Sequence, residues 1–292
     1  MTEPLTSEPM LPLEGLTRPS FEVPKGACDA HMHVFGPLSL YPHVAKPHYT
    51  LPDGKLEHFH DLMKVLHLGR YVIVQPSFYG TDNRCMLDAL KLGGGASRGV
   101  AMVEDDVSPA ELESLHEQGV RGLRLDLFKR AEQPIEDIQA YITSMAKKIA
   151  PLGWHLQFYV PGRVVRDLIG FLGTLTAPYV IDHMGYMAEE DGLTERDFQK
   201  LLTLMVESHC YLKLSGPYRI AKDKGYGAVA HVAKAIVETD PRRAIWGSDW
   251  PHIPKSGRDT GELLNLLTEW APDPADRQKI LVDNPNRLFG FA

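Results

Sequence analysis

Gly122-Leu123-Arg124-Leu125-Asp126-Leu127 decides the fold. Three leucines alternate with a glycine, an arginine and a carboxylate. A period of two is that of a β-strand, so the leucines share one face and Arg124 and Asp126 share the other. Segments of helical periodicity flank the stretch, at Pro109–Gln118 and Ile135–Ala150. The leucine face therefore has helices to pack on, and the polar face turns inward.

The same unit recurs outward in both directions. Short β-branched and aromatic runs occur at Ala27–Phe35, Tyr71–Ser77, Arg98–Glu104, Val120–Phe128, Trp154–Val160, Tyr179–Gly185, Tyr211–Pro217 and Ala244–Trp250. Helical patterns separate them at Leu56–Leu68, Thr81–Leu92, Pro109–Gln118, Ile135–Ala150, Arg163–Leu172, Glu195–Ser208 and Tyr226–Glu238. Two more, Glu262–Trp270 and Ala275–Leu281, follow the eighth run. Asp82 and Ser108-Pro109 are helix-start signals, and Gly69, Gly119 and Gly173 mark ends. Eight alternations predict an α/β fold, a (β/α)8 TIM barrel, regular or distorted. A doubly wound open sheet is the alternative. It lacks support, because no glycine-rich phosphate loop follows the first strand. Residues 1–24, rich in Pro, Glu and Ser, read as an extended N-terminal arm, and residues 25–292 as one barrel domain.

Composition narrows the function. The net charge is -7 and the pI is near 6.0, which speaks against nucleic-acid or anionic-membrane partners. No apolar run has the length of a membrane span. Met1-Thr2-Glu3-Pro4 is unlike a secretory signal. The three cysteines, Cys28, Cys85 and Cys210, have no CxxC spacing and read as reduced thiols of a cytoplasmic protein. Oligomeric state is not readable from the chain.

Strand parity then gathers a polar chamber. In Asp29-Ala30-His31-Met32-His33, the carboxylate and both imidazoles share one face. His155, Gln157 and Tyr159 face the axis from the fifth strand, Gln75 and Ser77 from the second. His183 follows Ile181 inward, and Asp249 enters with Gly247. His33, Ser77, Arg124, Tyr159, His183 and Asp249 all fall near C-terminal strand ends, where barrel active sites lie. A lone His-x-His is often only a satisfied polar pair. An internal Arg124–Asp126 pair is an equally ordinary reading of the fourth strand. Neither explains three histidines and an aspartate on three other strands.

His31-Met32-His33, Val180-Ile181-Asp182-His183-Met184-Gly185 and Trp246-Gly247-Ser248-Asp249-Trp250-Pro251-His252 together resemble the amidohydrolase superfamily. Cys28–Pro37, Gly122-Leu123-Arg124 with Phe128-Lys129-Arg130, Trp154–Tyr159 and Pro217-Tyr218-Arg219 are similar to the 2-pyrone-4,6-dicarboxylate lactonase group within it. The resemblance covers nearly all of the chain after the arm. It implies a lactone hydrolase of aromatic-compound degradation, acting on a small anionic lactone and working without a metal. The carboxylated lysine of a binuclear relative has no counterpart. Lys129 sits beside Arg130, and strand five ends in Tyr159. A single divalent ion such as zinc on His31, His33, His183 and Asp249 stays open.

In that reading Asp249 is the general base. His31, His33 and His183 polarise the ring carbonyl and hold the oxyanion. Arg124, Arg130 and Arg219 bind substrate carboxylates, and Tyr159, Ser77 and Tyr49 add neutral hydrogen bonds. His43, His48, His58, His60 and His67 read as solvated or structural, and His252 as supporting. The alternatives are a lactonase or isomerase of sugar lactones or sulfomuconolactone, a metal-dependent decarboxylase of the superfamily, and an inactive binding protein.

Overall fold

The computed structural model describes residues 12–44, 51, 54–187, 193–222, 224–253 and 257–291. Eight strands follow the predicted order: β1 (Cys28–Met32), β2 (Arg70–Val74), β3 (Ser97–Ala101), β4 (Val120–Asp126), β5 (His155–Tyr159), β6 (Tyr179–Ile181), β7 (Cys210–Leu214) and β8 (Ala244–Trp246). Every neighbouring pair from β1 to β8 is parallel. The last gap is narrowed by backbone bonds from His33 N to Trp250 O (2.9 Å) and from Asp249 N to His31 O (2.8 Å). The sheet is thus a nearly closed, distorted (β/α)8 barrel.

The helices are α1 (Leu56–Leu66), α2 (Arg84–Gly93), α3 (Pro109–Glu117), α4 (Ile135–Ile149), α5 (Gly162–Leu172), α6 (Glu195–Glu207), α7 (Pro217–Ala221), α8 (Ala230–Thr239), α9 (Thr260–Asn265), α10 (Leu267–Trp270), α11 (Pro274–Gln278) and α12 (Asn284–Phe289). Ser108 and Glu111 form a capping box that starts α3, with Pro109 in its first turn; Thr194 and Asp197 do the same for α6. The second helix begins later than Thr81. Asn83 is held back by its side-chain bonds to Thr81 O and Met102 O, while Asp82 accepts the Arg84 N–H. The first helix ends at left-handed His67 rather than at Gly69.

Two apolar layers flank the barrel wall. Leu123, Leu125, Leu127, Leu156, Phe158, Ile181, Leu212 and Trp246 belong to the outer layer beneath the helices. Cys28, Ala30, Val72, Val74, Val100, Val180, Tyr211 and Ile245 fill the barrel with Leu288, Phe289 and Phe291 from the chain's end. Phe289 meets His155 at the start of β5 (ring centroids 5.1 Å), and Arg98 at the start of β3 donates to Phe289 O and Gly290 O. The C-terminal segment therefore plugs the N-terminal end of the barrel, and the polar chamber opens at the other end. Residues 12–24 lie along the helical surface: Thr17 N donates to Asp259, and Ser20 N to Asn265.

Two parity expectations are corrected. The β1–β2 register shifts between Asp29 and Met32, so β1 carries a bulge. Ala30 lies in the barrel-filling cluster, and Asp29 does not line the chamber beside the histidines. Its Oδ1 accepts the backbone N–H groups of His31 and Ser248. On β2 the inward residues are Val72 and Val74. The Gln75 amide instead donates to Gly80 O and Asp82 O.

Candidate active site

His31 and His33 reach the chamber from the bulged end of β1. Their rings meet edge to face at 5.0 Å. His33 Nδ1 lies 2.7 Å from Val74 O, so this nitrogen carries the ring proton and Nε2 faces the chamber. His183 arrives differently from its expected inward step after Ile181. Parity along β6 sends Val180 and then Asp182 inward. His183 turns in through a left-handed backbone (φ 51°) continued by Met184 (φ 52°) and Gly185 (φ 72°). Its ring stands 5.0 Å from that of His31, and Nδ1 lies 2.9 Å from Ser215 Oγ.

Small residues make room for these rings. A Cβ on Gly247 would lie 2.5 Å from His31 Cβ and 2.8 Å from His31 N. Gly216 has φ 55°, and a Cβ there would meet His183 Nδ1 at 2.8 Å. No larger side chain leaves the histidines where they are.

Asp249 stands at the centre. Its Oδ2 accepts from Tyr218 OH (2.5 Å) and Arg219 Nε (2.6 Å). Its Oδ1 is buried, has no hydrogen-bond partner among the described residues, and faces His33 Nε2 at 3.5 Å and His31 Nε2 at 3.7 Å. Burial pushes the Asp249 carboxyl up, but Arg219 and the histidines outweigh it and hold the group well below the usual carboxylate range. Tyr218 OH also lies 3.3 Å from His252 Nδ1, whose Nε2 reaches Thr260 Oγ1 at 2.8 Å.

Beneath them lie Asp182 and Lys213, both wholly buried, with Lys213 Nζ 3.0 Å from Asp182 Oδ1 and 3.2 Å from His31 Nδ1. Burial pushes Asp182 up, and Lys213 and His31 more than reverse it. Neither residue is among the predicted site residues. Lys213 follows the leucine rule in Tyr211-Leu212-Lys213-Leu214-Ser215, so a signal for it was present in the sequence.

The predicted substrate-binding residues separate. Arg124 is buried on β4, donates from Nη1 to Gln75 O (2.7 Å), and lies 4.5 Å over the Tyr159 ring. Its Nε has no partner among the described residues. It does not pair with Asp126, which has Lys129 Nζ at 3.7 Å. Ser77 sits at the same side, its Oγ buried without a partner among the described residues and its carbonyl 3.4 Å from Lys129 Nζ. Arg219 stands opposite, on Asp249. Arg130, on the loop after β4, bonds both carboxylate oxygens of Asp105 at 2.8 Å and lies over Tyr141 at 3.8 Å. Tyr49 and His48 lie outside the described residues. His43 packs on Phe78 and Tyr79, and His60 on Tyr71.

Two groups have the donor spacing for a divalent ion: His31, Asp182 and His183, and His31, His33 and Asp249, with ligand atoms within 4.8 Å in each. The second fits best, because among the described residues neither His31 Nε2 nor Asp249 Oδ1 has a hydrogen-bond partner. In the first, the Lys213 ammonium already contacts Asp182 and His31.

Burial also sets the response to acid. It lowers His155 to about 3, and His183 and His252 to about 4, below the ordinary value of 6.5. Between these values and 6.5 the unfolded chain binds more protons than the folded one, so stability falls as pH drops. Their contribution is complete above 6.5 and is lost as pH falls toward 4. Asp182 and Asp249, likewise depressed, lose theirs only at lower pH, on falling from the ordinary carboxylate value through their folded values. Urea denaturation across pH 7 to 4 is expected to lose several kcal/mol. A stability flat over that range would contradict the assignment of neutral, buried rings.

With His-x-His at the end of its first strand, a histidine after β6 and an aspartate after β8 at its open end, the barrel has the form of an amidohydrolase-superfamily hydrolase. The chain belongs to the amidohydrolase family, whose profile matches residues 28–291. It is 36% identical over 287 residues to the 2-pyrone-4,6-dicarboxylate hydrolase of Comamonas testosteroni, covering 94% of this chain and 93% of that one. It is 36% identical over 280 residues to the 4-sulfomuconolactone hydrolase of Rhizobium radiobacter, covering 93% and 92%. A solved Pseudomonas putida structure, provisionally described as a 2-pyrone-4,6-dicarboxylic acid hydrolase, superposes with a TM-score of 0.80. It is 32% identical and covers 92% of this chain and 98% of that one. Among the described residues no helix is long and apolar enough to cross a membrane.

Proposed function

We propose that the protein hydrolyses a lactone bearing carboxylates, of the 2-pyrone-4,6-dicarboxylate type, in the degradation of aromatic compounds. The observation that carries this reading is Asp249. It is ionised, anchored through Oδ2, and its free Oδ1 faces two imidazoles in a chamber with guanidinium groups on opposite sides. Water placed against Oδ1 gives up a proton to it as its oxygen bonds to the ring carbonyl carbon. The histidine rings surround the oxygen that gains charge. When the adduct collapses, the ring C–O bond breaks and the departing oxygen takes the proton back from Asp249. A divalent ion on His31, His33 and Asp249, when bound, would polarise the carbonyl as a Lewis acid and acidify the attacking water.

Arg219 couples binding to this step. Paired with Asp249, it weakens the carboxylate as a base. A substrate carboxylate that draws the guanidinium away raises the basicity of Asp249. Arg124, with its free Nε and its place over Tyr159, is the second carboxylate anchor. The three thiols are free and buried, which supports a reducing, cytoplasmic setting. 4-Sulfomuconolactone is the second reading, favoured by the equal identity of the Rhizobium radiobacter relative.

The test is kcat/KM for the pyrone dicarboxylate, 4-sulfomuconolactone and a neutral sugar lactone, with wild type and Arg124→Met. The pyrone is expected to be the best substrate. Arg124→Met should raise its KM by about 10-fold or more, with a smaller change in kcat. An unchanged KM would remove Arg124 from binding, and a preference for the neutral lactone would overturn the substrate class.

A further inference from the structure

Lys213 has no task in the hydrolytic steps, yet it occupies the base of the site. It points inward from β7, and its ammonium, His31 and Asp182 are all fully buried. Nζ lies 3.0 Å from Asp182 Oδ1 and 3.2 Å from His31 Nδ1, while Asp182 Oδ2 accepts from the Gln157 amide at 3.1 Å. Arg124, Asp29 and His155 supply the other nearby fields. His31 and Asp182 are also members of the inner group, with His183, that has metal-ligand spacing. A buried cation thus already sits among those ligands. Asp182 Oδ1 is 3.5 Å from His31 Nδ1 but closer, at 3.0 Å, to the ammonium; an ammonium has three donors and no acceptor, so at 3.2 Å it meets His31 Nδ1 as a lone pair. The ring proton of a neutral His31 is then on Nε2, the nitrogen that faces Asp249 Oδ1 at 3.7 Å, so an ion on the outer group of His31, His33 and Asp249 would have to displace that proton.

We propose that Lys213 is a built-in cation: it fills the inner group of His31, Asp182 and His183, keeps divalent ions out of it, and fixes His31 as a donor through Nε2. Lys213 is a positioning residue, acting through His31. Use of that donor to hold an oxyanion rests on the lactonase reading, whereas the cation's place does not.

Zinc affinity measured by competition with a chromophoric chelator tests the first part. Removing the like charge in Lys213→Met should tighten zinc binding by about 10-fold or more relative to wild type, and Lys213→Arg should not. Equal affinity in wild type and Lys213→Met overturns the proposal. If Lys213→Met does not fold, the wild-type protein decides. With 15N-labelled histidine and His31 assigned by His31→Gln, the Nε2-protonated pattern is expected. The Nδ1-protonated pattern overturns it. Neither readout depends on turnover of any lactone, so failure here is distinct from failure of the proposed activity.

Discussion

Asp249→Asn is expected to lower kcat for lactone opening by about 10²- to 10⁴-fold, the usual worth of a positioned proton acceptor. The substitution is close to isosteric. The amide oxygen can still accept from Tyr218 OH and Arg219 Nε, and the backbone N–H still reaches His31 O. The amide cannot take a proton from water, so the chemical step fails while the chamber persists. The loss therefore falls on kcat, with substrate affinity changed much less. Isothermal titration with substrate beside steady-state kinetics separates the two. A variant within a few-fold of the wild-type rate would falsify the role of Asp249 as base.

Gly247→Ala has the second largest expected effect, and it acts without touching a titratable group. The new methyl would lie 2.5 Å from His31 Cβ and 2.8 Å from His31 N. The second contact is with backbone, so no rotamer change relieves it. Strand β1 must move away from β8, where Asp249 N donates to His31 O. His31 and Asp249 then lose their mutual placement. A misplacement near 1 Å costs about 10²-fold in rate, and overpacking a filled core costs about 1–3 kcal/mol. Kinetics and urea denaturation of the same preparation report both. Wild-type activity at wild-type stability would show that the close approach of Gly247 to His31 is not needed.

The parts of this site that sequence makes legible are those where one strand face is uniformly large and apolar. Leu123, Leu125 and Leu127 point to the helices, so Arg124 must point in, and Leu156 with Phe158 does the same for Gln157 and Tyr159. The rule fails on β2, where Tyr71, Val72, Ile73 and Val74 are apolar on both faces, as expected of a parallel strand buried on both sides. It fails on β1 because a bulge inserts a residue, which no alternation records. His183 reaches the chamber through positive-φ backbone after the strand has ended, beyond the reach of parity. Lys213 obeys the rule but lies before the C-terminal end of β7, deeper than the strand ends where polar residues are sought. Parity says nothing of Arg130, which lies on the loop after β4; its contacts, Asp105 and Tyr141, come from other segments.

Hydrolysis is the central claim, and one measurement reaches it directly. The purified protein is mixed with 2-pyrone-4,6-dicarboxylate in ¹⁸O-labelled water, ring absorbance is followed, and the product is weighed by mass spectrometry. Absorbance is expected to disappear and the product to carry one added water, with the label in the newly formed carboxylate. Loss of absorbance with no gain in mass would mean isomerisation, and an untouched pyrone would mean a different substrate; either contradicts hydrolysis of the pyrone.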